Sequence, residues 1–461
     1  MIALFMLRPA LKKHSVSALF SPRHGRKCYS TKECKPLRIL FCGSDDFSIA
    51  SLRALHTEHL QSPGLIKSID VLCRPGKPAG RSLKKIREVP IKAAAEELGL
   101  TVHERDTFTG WELPKPNDES INLIIAVSFG LFVPPRILKA AEYGGLNVHP
   151  SLLPQFRGPA PLQRAIMTFA KVTGVTLQTL DDKSFDHGLI LAQKQFHIPD
   201  RTRITYPQLV DFVKPQAAEL LVKGIRRRVF VPPLVEVCPY RVPAKLTAAP
   251  KIGSEDAKID FHHRGVRYWA PAMHRALGRL WGNFWLDPGS QRRLIFEDIE
   301  AVERPTPFII HGGEARDGAE APLPDDDAPP LEESMSLEDR LASKGVLFVV
   351  PVRPQAPPGG SSSTLLPLFY VEDREAVIFS AYAGALRVKH ITLAGQPAKP
   401  AREVLRNMQK FGVWRLRFGE NARRPGKQIL VVEDAKAAEG AQRACDARTA
   451  SYKSICDAAG F

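Results

Sequence analysis

The sequence holds no Cys-x-x-Cys pair and no cysteine and histidine cluster at zinc-ligand spacing; its seven cysteines stand apart at 28, 34, 42, 73, 238, 445 and 456. A structural zinc needs such clustered ligands, so the cysteines read as reduced thiols and no metal is expected. No run of about 18 apolar residues occurs, the length a membrane-crossing helix requires, and no membrane partner is expected. The pattern Gly-x-Gly-x-x-Gly is missing too, which argues against bound NAD. No internal repeat is visible. What remains is globular composition: 461 residues, 44% of them apolar, enough for one full core and room for a second.

The first 35 residues differ from the rest. They carry Arg8, Lys12, Lys13, Arg23, Arg26, Lys27, Lys32 and Lys35 against one acid, Glu33, with serines between. That is the composition of a mitochondrial presequence, and Arg26-Lys27-Cys28-Tyr29-Ser30 is similar to a processing site. The short apolar run 1–7 precedes the charges, the reverse of a secretory signal. The mitochondrial matrix is the expected location. The formal charge of +16 falls to +9 without those eight bases and one acid. Residues 314–339 hold ten acids and one base, which leaves the remainder near +18. A polyanion such as nucleic acid is the usual partner of such a surface.

Residues 37–42 read as a buried strand leading into Gly43-Ser44-Asp45-Asp46-Phe47, a turn with helix-start residues, and Leu52 and Leu55 follow at helical spacing. Further strands are expected at 69–73, 122–127, 146–148, 175–180 and 189–193, with helices at 91–98, 134–141 and 206–225, and another beginning near Ala160. Alternating strands and helices imply an α/β fold with a doubly wound, mostly parallel sheet over 36–228. Ligands of such sheets gather at the carboxyl ends of the strands. Val231-Pro-Pro and Cys238-Pro-Tyr-Arg-Val-Pro243 suggest a linker over 229–248. A smaller β-rich domain is expected over 249–412, interrupted by the acidic, Pro-rich stretch 304–340 as a disordered insertion. A basic tail, 413–461, follows with Arg415, Arg417, Arg423 and Arg424.

The segment that carries chemistry is Gly145-Leu-Asn147-Val-His149-Pro-Ser-Leu-Leu-Pro154-Gln-Phe-Arg157-Gly158. A strand ending in Asn-x-His places both side chains on one face, because strand side chains alternate with a period of two. Downstream, Asp181-Asp-Lys-Ser-Phe-Asp186-His-Gly188 supplies an acid and a glycine in a turn between two strands. An amide, an imidazole and a carboxylate at strand ends are what an acyl transfer needs: donors for the developing oxyanion and a route for the proton. No cysteine beside a base is primed as a nucleophile, so direct transfer is expected.

Asn147-Val-His149-Pro-Ser-Leu-Leu-Pro154 with Arg157-Gly158 resembles the signature of the folate-dependent formyltransferases, and Phe185-Asp186-His-Gly188 resembles that family's second catalytic turn. The resemblance implies that Asn147, His149 and Asp186 are catalytic. It implies that Ser151, Leu152, Leu153 and Pro154 line the tetrahydrofolate site, that residues 126–133, with Phe129 and Gly130, shape the pterin pocket, and that 10-formyltetrahydrofolate is the co-substrate. Arg74-Pro-Gly-Lys77-Pro-Ala-Gly-Arg81-Ser-Leu-Lys84-Lys85-Ile-Arg87 is similar to the inserted loop with which the methionyl-tRNA branch of the family grips the acceptor stem. It has the density of Lys and Arg that phosphate contacts need; a solvated basic loop is the plain alternative.

Ala249-Pro-Lys251-Ile-Gly-Ser-Glu-Asp-Ala-Lys-Ile-Asp260-Phe261 and Leu386-Arg-Val-Lys-His-Ile-Thr-Leu-Ala-Gly395-Gln-Pro-Ala-Lys399 resemble the entry and the end of that branch's C-terminal domain, an OB-like barrel that binds tRNA. The resemblance covers residues 37–300 and 345–412, and implies initiator Met-tRNA as partner of a monomeric enzyme. Two positions depart from the family. The first turn reads Ser44-Asp45-Asp46-Phe47 where Thr-Pro-Asp-Phe is common, and Gln155 stands where a basic residue is common. A formyltransferase acting on a small amine would need neither the basic loop nor the second domain. A 10-formyltetrahydrofolate dehydrogenase would need a further domain, and a silent RNA-binding protein would need no Asn147, His149 and Asp186.

Overall fold

The apolar runs pair as expected of buried strands. Strand β1 (Leu37–Gly43) leads into helix α1 (Asp46–Gln61), and β2 (Ile66–Cys73) returns beside it. A small hairpin, β3 (Lys77–Ala79) with β4 (Lys85–Arg87), precedes α2 (Pro90–Glu97) and β5 (Thr101–Glu104). Then come β6 (Leu123–Val127), α3 (Pro135–Ala140), β7 (Gly145–His149), α4 (Pro161–Met167), β8 (Val172–Thr179), β9 (Ile190–His197) and α5 (Tyr206–Arg226). The computed structural model describes residues 32–79, 85–237, 245–261, 263, 265–287, 290–303, 346–352, 366–373, 376–381, 384–409, 414–418 and 430–432. Its contacts divide the chain into two compact units, one ending at Ile252 and the other beginning at Gly253.

In the first unit seven strands form one sheet in the order β5-β2-β1-β6-β7-β8-β9. The first five are parallel, and the β7–β8 and β8–β9 pairings are antiparallel, so β8 alone is reversed. β1 and β6 are buried almost without interruption, the pattern of strands covered on both faces. Leu40, Cys42, Leu72, Ile124 and Ala126 share one core with Ile137 and Leu138 of α3 and with Phe108 and Trp111. Period-two alternation turns the intervening residues to the other face, where α1 and α5 pack together. The result is the doubly wound, mostly parallel sheet expected.

The second unit is antiparallel. Helix α6 (Val266–Leu277) precedes β10 (Leu280–Asp287), β11 (Ser290–Phe296) and β12 (Glu300–Val302). After residues outside the described set come β13 (Val346–Val352), β14 (Leu366–Asp373), β15 (Ala376–Ala381), β16 (Gly384–Val388), β17 (His390–Leu393), β18 (Lys399–Pro400) and α7 (Ala401–Gln409). The sheet runs β12-β16-β15-β14-β13-β10-β11-β17-β18. Phe261 is its hub, with Phe379, Phe296 and Phe284 at ring distances of 5.2, 5.5 and 6.5 Å. Two further strands, β19 (Trp414–Phe418) and β20 (Leu430–Val432), extend the sheet, β19 pairing with β13. The stretch read as a basic tail thus starts as a strand, and Arg415 and Arg417 lie on it. The acidic stretch 304–340 falls outside the described residues.

Candidate active site

The three polar residues of the two motifs meet at the carboxyl end of β7. Asp186 sits in the turn between β8 and β9 with a left-handed backbone, φ +59°, a conformation Asp tolerates better than most residues. Its Oδ1 accepts from Asn147 Nδ2 at 3.0 Å and from Gln178 Nε2 at 3.2 Å, and lies 3.3 Å from His149 Nδ1. Its Oδ2 accepts from the Gly158 backbone N–H at 3.1 Å, and its carbonyl accepts from Arg157 Nε at 2.8 Å. One residue thus gathers five groups from three segments.

The sheet explains this convergence. Asn147 on β7 lies directly opposite Gln178 on β8, and His149 lies opposite Thr176, which in turn lies opposite Gln193 on β9. Residues opposite one another share a face, so a polar row crosses three strands. The far end of that row braces the loop after β7. Thr176 Oγ1 donates to the Ser151 carbonyl at 2.7 Å and accepts from the Leu153 N–H at 3.1 Å, while Gln193 Nε2 donates to the Leu153 carbonyl at 2.9 Å. The Ser151 hydroxyl donates to the Gln155 carbonyl at 2.7 Å, and the Leu153–Pro154 bond is cis. Ser151 and Leu153 therefore act inside the loop, as its frame, and Leu152 packs over Gly174.

The loop holds His149 from its other side: His149 Nε2 lies 3.0 Å from the Phe156 carbonyl. Each ring nitrogen of this buried imidazole faces an oxygen, so a neutral ring donates at one side and a protonated ring at both. Gly188 is required beside Asp186, because a Cβ there would stand 1.8 Å from the Thr179 carbonyl oxygen. Gly158 is required for a similar reason: its φ is +123° and a Cβ would lie 2.5 Å from the Ala249 carbonyl oxygen.

That contact with Ala249 belongs to a longer seam. Phe156 N–H donates to the Thr247 carbonyl at 2.7 Å, Ala249 N–H donates to the Arg157 carbonyl at 2.8 Å, and Ala160 N–H donates to the Ala249 carbonyl at 3.2 Å. Gln155 joins it, its Oε1 accepting from the Thr247 N–H at 2.9 Å. The departure at Gln155 therefore has a use: the amide ties residues 245–250, expected as linker and domain entry, to the loop that carries the site.

The loop after β6 places Phe129 in the core, edge-on to Phe108 at 6.2 Å, and leaves Gly130 exposed at φ +76°. The aromatic that this loop presents outward is Phe132, edge-on to the exposed Phe185 of the Asp186 turn at 5.4 Å. Neither Phe132 nor Phe185 ring was distinguishable from core aromatics by sequence, and Gln178 carried no motif. A cavity of about 360 Å³ lies beside the same turn, lined by Leu138, Lys139, Leu180, Asp181, His187 and Leu189 among others. Among the described residues, no three His, Cys, Asp or Glu side chains converge as metal ligands, and no helix is long and apolar enough to cross a membrane.

The sequence matches known proteins. Residues 37–224 fit the family model described as formyl transferase. The methionyl-tRNA formyltransferase of Cereibacter sphaeroides is 35% identical over 231 residues, covering 49% of this chain and 70% of that protein.

The chain belongs to the methionyl-tRNA formyltransferase family.

It is a formyltransferase. The mitochondrial methionyl-tRNA formyltransferase of Saccharomyces cerevisiae is also 35% identical, over 263 residues that make up 49% of this chain and 64% of that one. Among solved structures, an N-formyltransferase from Helicobacter canadensis covers 76% of this chain and 98% of its own, at 12% identity and a TM-score of 0.43, too remote to add to the argument.

Of the six basic residues expected to meet tRNA, Lys77, Lys85 and Arg87 are exposed on the β3–β4 hairpin, where Lys77 pairs with Arg87 across the strands. Arg74 is held at the hairpin's base by Asp106, 2.8 Å away. Arg81 and Lys84 lie outside the described residues. Ile86 between the exposed cations is itself 65% exposed, so this strand presents an apolar side chain along with its charge.

Proposed function

We propose that this formyltransferase moves the formyl group of 10-formyltetrahydrofolate onto the α-amino group of methionine carried by initiator tRNA, as a monomer in the mitochondrial matrix. The observation that carries this reading is the junction at Asp186, where an amide, an imidazole and a carboxylate meet at the carboxyl edge of the sheet. The presequence composition of the first 35 residues and the likeness to a yeast mitochondrial relative support the location.

The methionyl amine attacks the formyl carbon directly. The new C–N bond forms, the carbonyl oxygen becomes an oxyanion, and the bond to the folate nitrogen then breaks. Asn147 keeps one N–H on Asp186 and gives the other to the oxyanion. His149 keeps Nδ1 toward Asp186 and turns Nε2 from the Phe156 carbonyl to the same oxygen. Each such donor is worth about 3 kcal/mol to the transition state. Asp186 orients both and passes the amine's proton to the departing folate nitrogen, so nothing remains on the enzyme. The loop 151–154 and the loop 126–133, with Phe129 and Gly130 in its backbone turn, frame the folate side. Arg74, Lys77, Arg81, Lys84, Lys85 and Arg87 meet phosphates of the acceptor stem, and the second unit supplies further tRNA contact.

The test is transfer of labelled formyl from 10-formyltetrahydrofolate to Met-tRNA by the chain starting at Ser30, alongside His149→Ala. Labelled formylmethionyl-tRNA with a large loss of turnover in the variant is the expected result. Formate release or labelling of a small amine in place of Met-tRNA would move the protein to another branch of formyl transfer.

A further inference from the structure

Residues 156–158 face two ways. On one side the Phe156 carbonyl lies 3.0 Å from His149 Nε2, Arg157 Nε donates to the Asp186 carbonyl at 2.8 Å, and the Gly158 N–H donates to Asp186 Oδ2 at 3.1 Å. On the other side the Phe156 N–H donates to the Thr247 carbonyl at 2.7 Å and the Arg157 carbonyl accepts from the Ala249 N–H at 2.8 Å. Gly158 lies so close to the Ala249 carbonyl that a Cβ would stand 2.5 Å from its oxygen. Each of three consecutive residues therefore touches His149 or Asp186 on one side and the strap 247–249 on the other. Strap and catalytic residues belong to the same compact unit. Phe156 has a left-handed backbone, φ +56°, which a bulky aromatic residue keeps only where its surroundings over-determine it. Both of its backbone polar groups are held, the N–H by Thr247 and the carbonyl by His149.

We propose that Gln155 is a positioning residue for His149 and Asp186, acting through the strap. This rests on the function proposed above and adds to it a residue that works through others. Gln155 Oε1 accepts from the Thr247 N–H at 2.9 Å, while the next residue, Phe156, donates its N–H to the Thr247 carbonyl. Thr247 is thus gripped at both its backbone N–H and its carbonyl by two neighbouring residues. Gln155 is itself fixed, because its own carbonyl accepts from the Ser151 hydroxyl at 2.7 Å. Without the Gln155 acceptor the strap is held more loosely, Phe156 is freer to relax from its left-handed backbone, and the carbonyl facing His149 and the N–H facing Asp186 move with it. A basic side chain at this position carries donors only and has nothing with which to accept from the Thr247 N–H, so the grip depends on the amide that this chain places there.

Gln155→Met keeps the volume and removes the acceptor, whereas Gln155→Glu keeps an acceptor at the same reach. The measurement is kcat and KM for formylation of Met-tRNA by the full chain, at a temperature where circular dichroism shows every variant folded. Loss of a group that orients a catalytic one costs about 10- to 100-fold, and one bond of the seam places Gln155→Met at the low end, with kcat down about tenfold and KM within about twofold of wild type. Gln155→Glu should bring kcat back to within about threefold of wild type. Thr247→Pro removes the same bond from its donor side, and the double variant should be no slower than the slower single one. A raised KM at unchanged kcat, a Gln155→Glu enzyme as slow as Gln155→Met, or losses that multiply in the double variant each overturn the positioning role while leaving the formyltransferase reading intact. A wild-type enzyme that forms no formylmethionyl-tRNA overturns that reading, and the positioning role with it.

Discussion

Asn147 and Gln178 face one another across β7 and β8, and their amides donate to the same oxygen of Asp186, at 3.0 and 3.2 Å. The carboxylate is therefore aimed by a pair of amides on neighbouring strands as well as by its own turn. Gln178→Met keeps the volume and deletes one of the two. Loss of a group that orients a reacting side chain costs about 10- to 100-fold in activity, and we expect that loss in kcat with the KM for Met-tRNA little changed. Gln178 Oε1 is buried without a hydrogen bond among the described residues. Thermal denaturation should thus show Gln178→Met no less stable than wild type.

Gly188→Ala tests the turn itself. A Cβ at 1.8 Å from the Thr179 carbonyl oxygen has backbone, not a flexible side chain, in its way, so the turn must shift and carry Asp186 with it. Displacement of a catalytic group by about 1 Å costs on the order of 100-fold. Single-turnover formyl transfer at saturating Met-tRNA is the measurement, and an active Gly188→Ala enzyme would show that the turn position is not critical.

Stability has a separate lever on the far side of the sheet. Glu58 of α1, 2% exposed at its side chain, accepts two bonds from Arg226 of α5, at 2.9 and 2.5 Å. The Arg226 hydrogen bond holds the Glu58 carboxyl below its usual range against the opposing effect of burial. Because the unfolded chain takes up this proton first, the pair stabilises the fold fully above the ordinary Glu range and progressively less as pH falls through and below it. Arg226→Ala should lower Tm by about 3 °C or more near neutral pH, and the gap from wild type should close in acid. Calorimetry across that range decides it.

In the second unit, Phe261→Ala removes the ring on which Phe284, Phe296 and Phe379 converge. A buried Phe→Ala change costs about 3–5 kcal/mol. Denaturant unfolding followed by fluorescence should show an early transition, and formylation of Met-tRNA should fail at temperatures where wild type works.

Local patterns foretold most of the first unit. The runs at 37–42 and 122–127 appear as β1 and β6 because continuous apolar strands have few options in a sheet covered on both faces. Asn147, His149 and Asp186 were legible because an alternating strand and a glycine turn announce them locally. Gln178 was not, since one glutamine inside a strand signals nothing until the antiparallel pairing sets it opposite Asn147. The strand Trp414–Phe418 was missed although Trp414-Arg-Leu-Arg-Phe418 alternates with a period of two; its basic charge drew the reading toward a tail. Thr247 looked like linker because prolines surround it, and Ala249 like the entry to the second domain. Their hydrogen bonds reach back about ninety residues in sequence, which no local pattern encodes.

Those same bonds bear on how the catalytic half can be isolated. A fragment stopped at 228, where helical periodicity ends, would leave the backbone N–H of Phe156 and the carbonyl of Arg157 without the partners they have in Thr247 and Ala249. Phe156 is also the residue whose carbonyl meets His149. A fragment of the first unit that keeps these bonds must therefore run past Ala249, and the division of contacts ends that unit at Ile252.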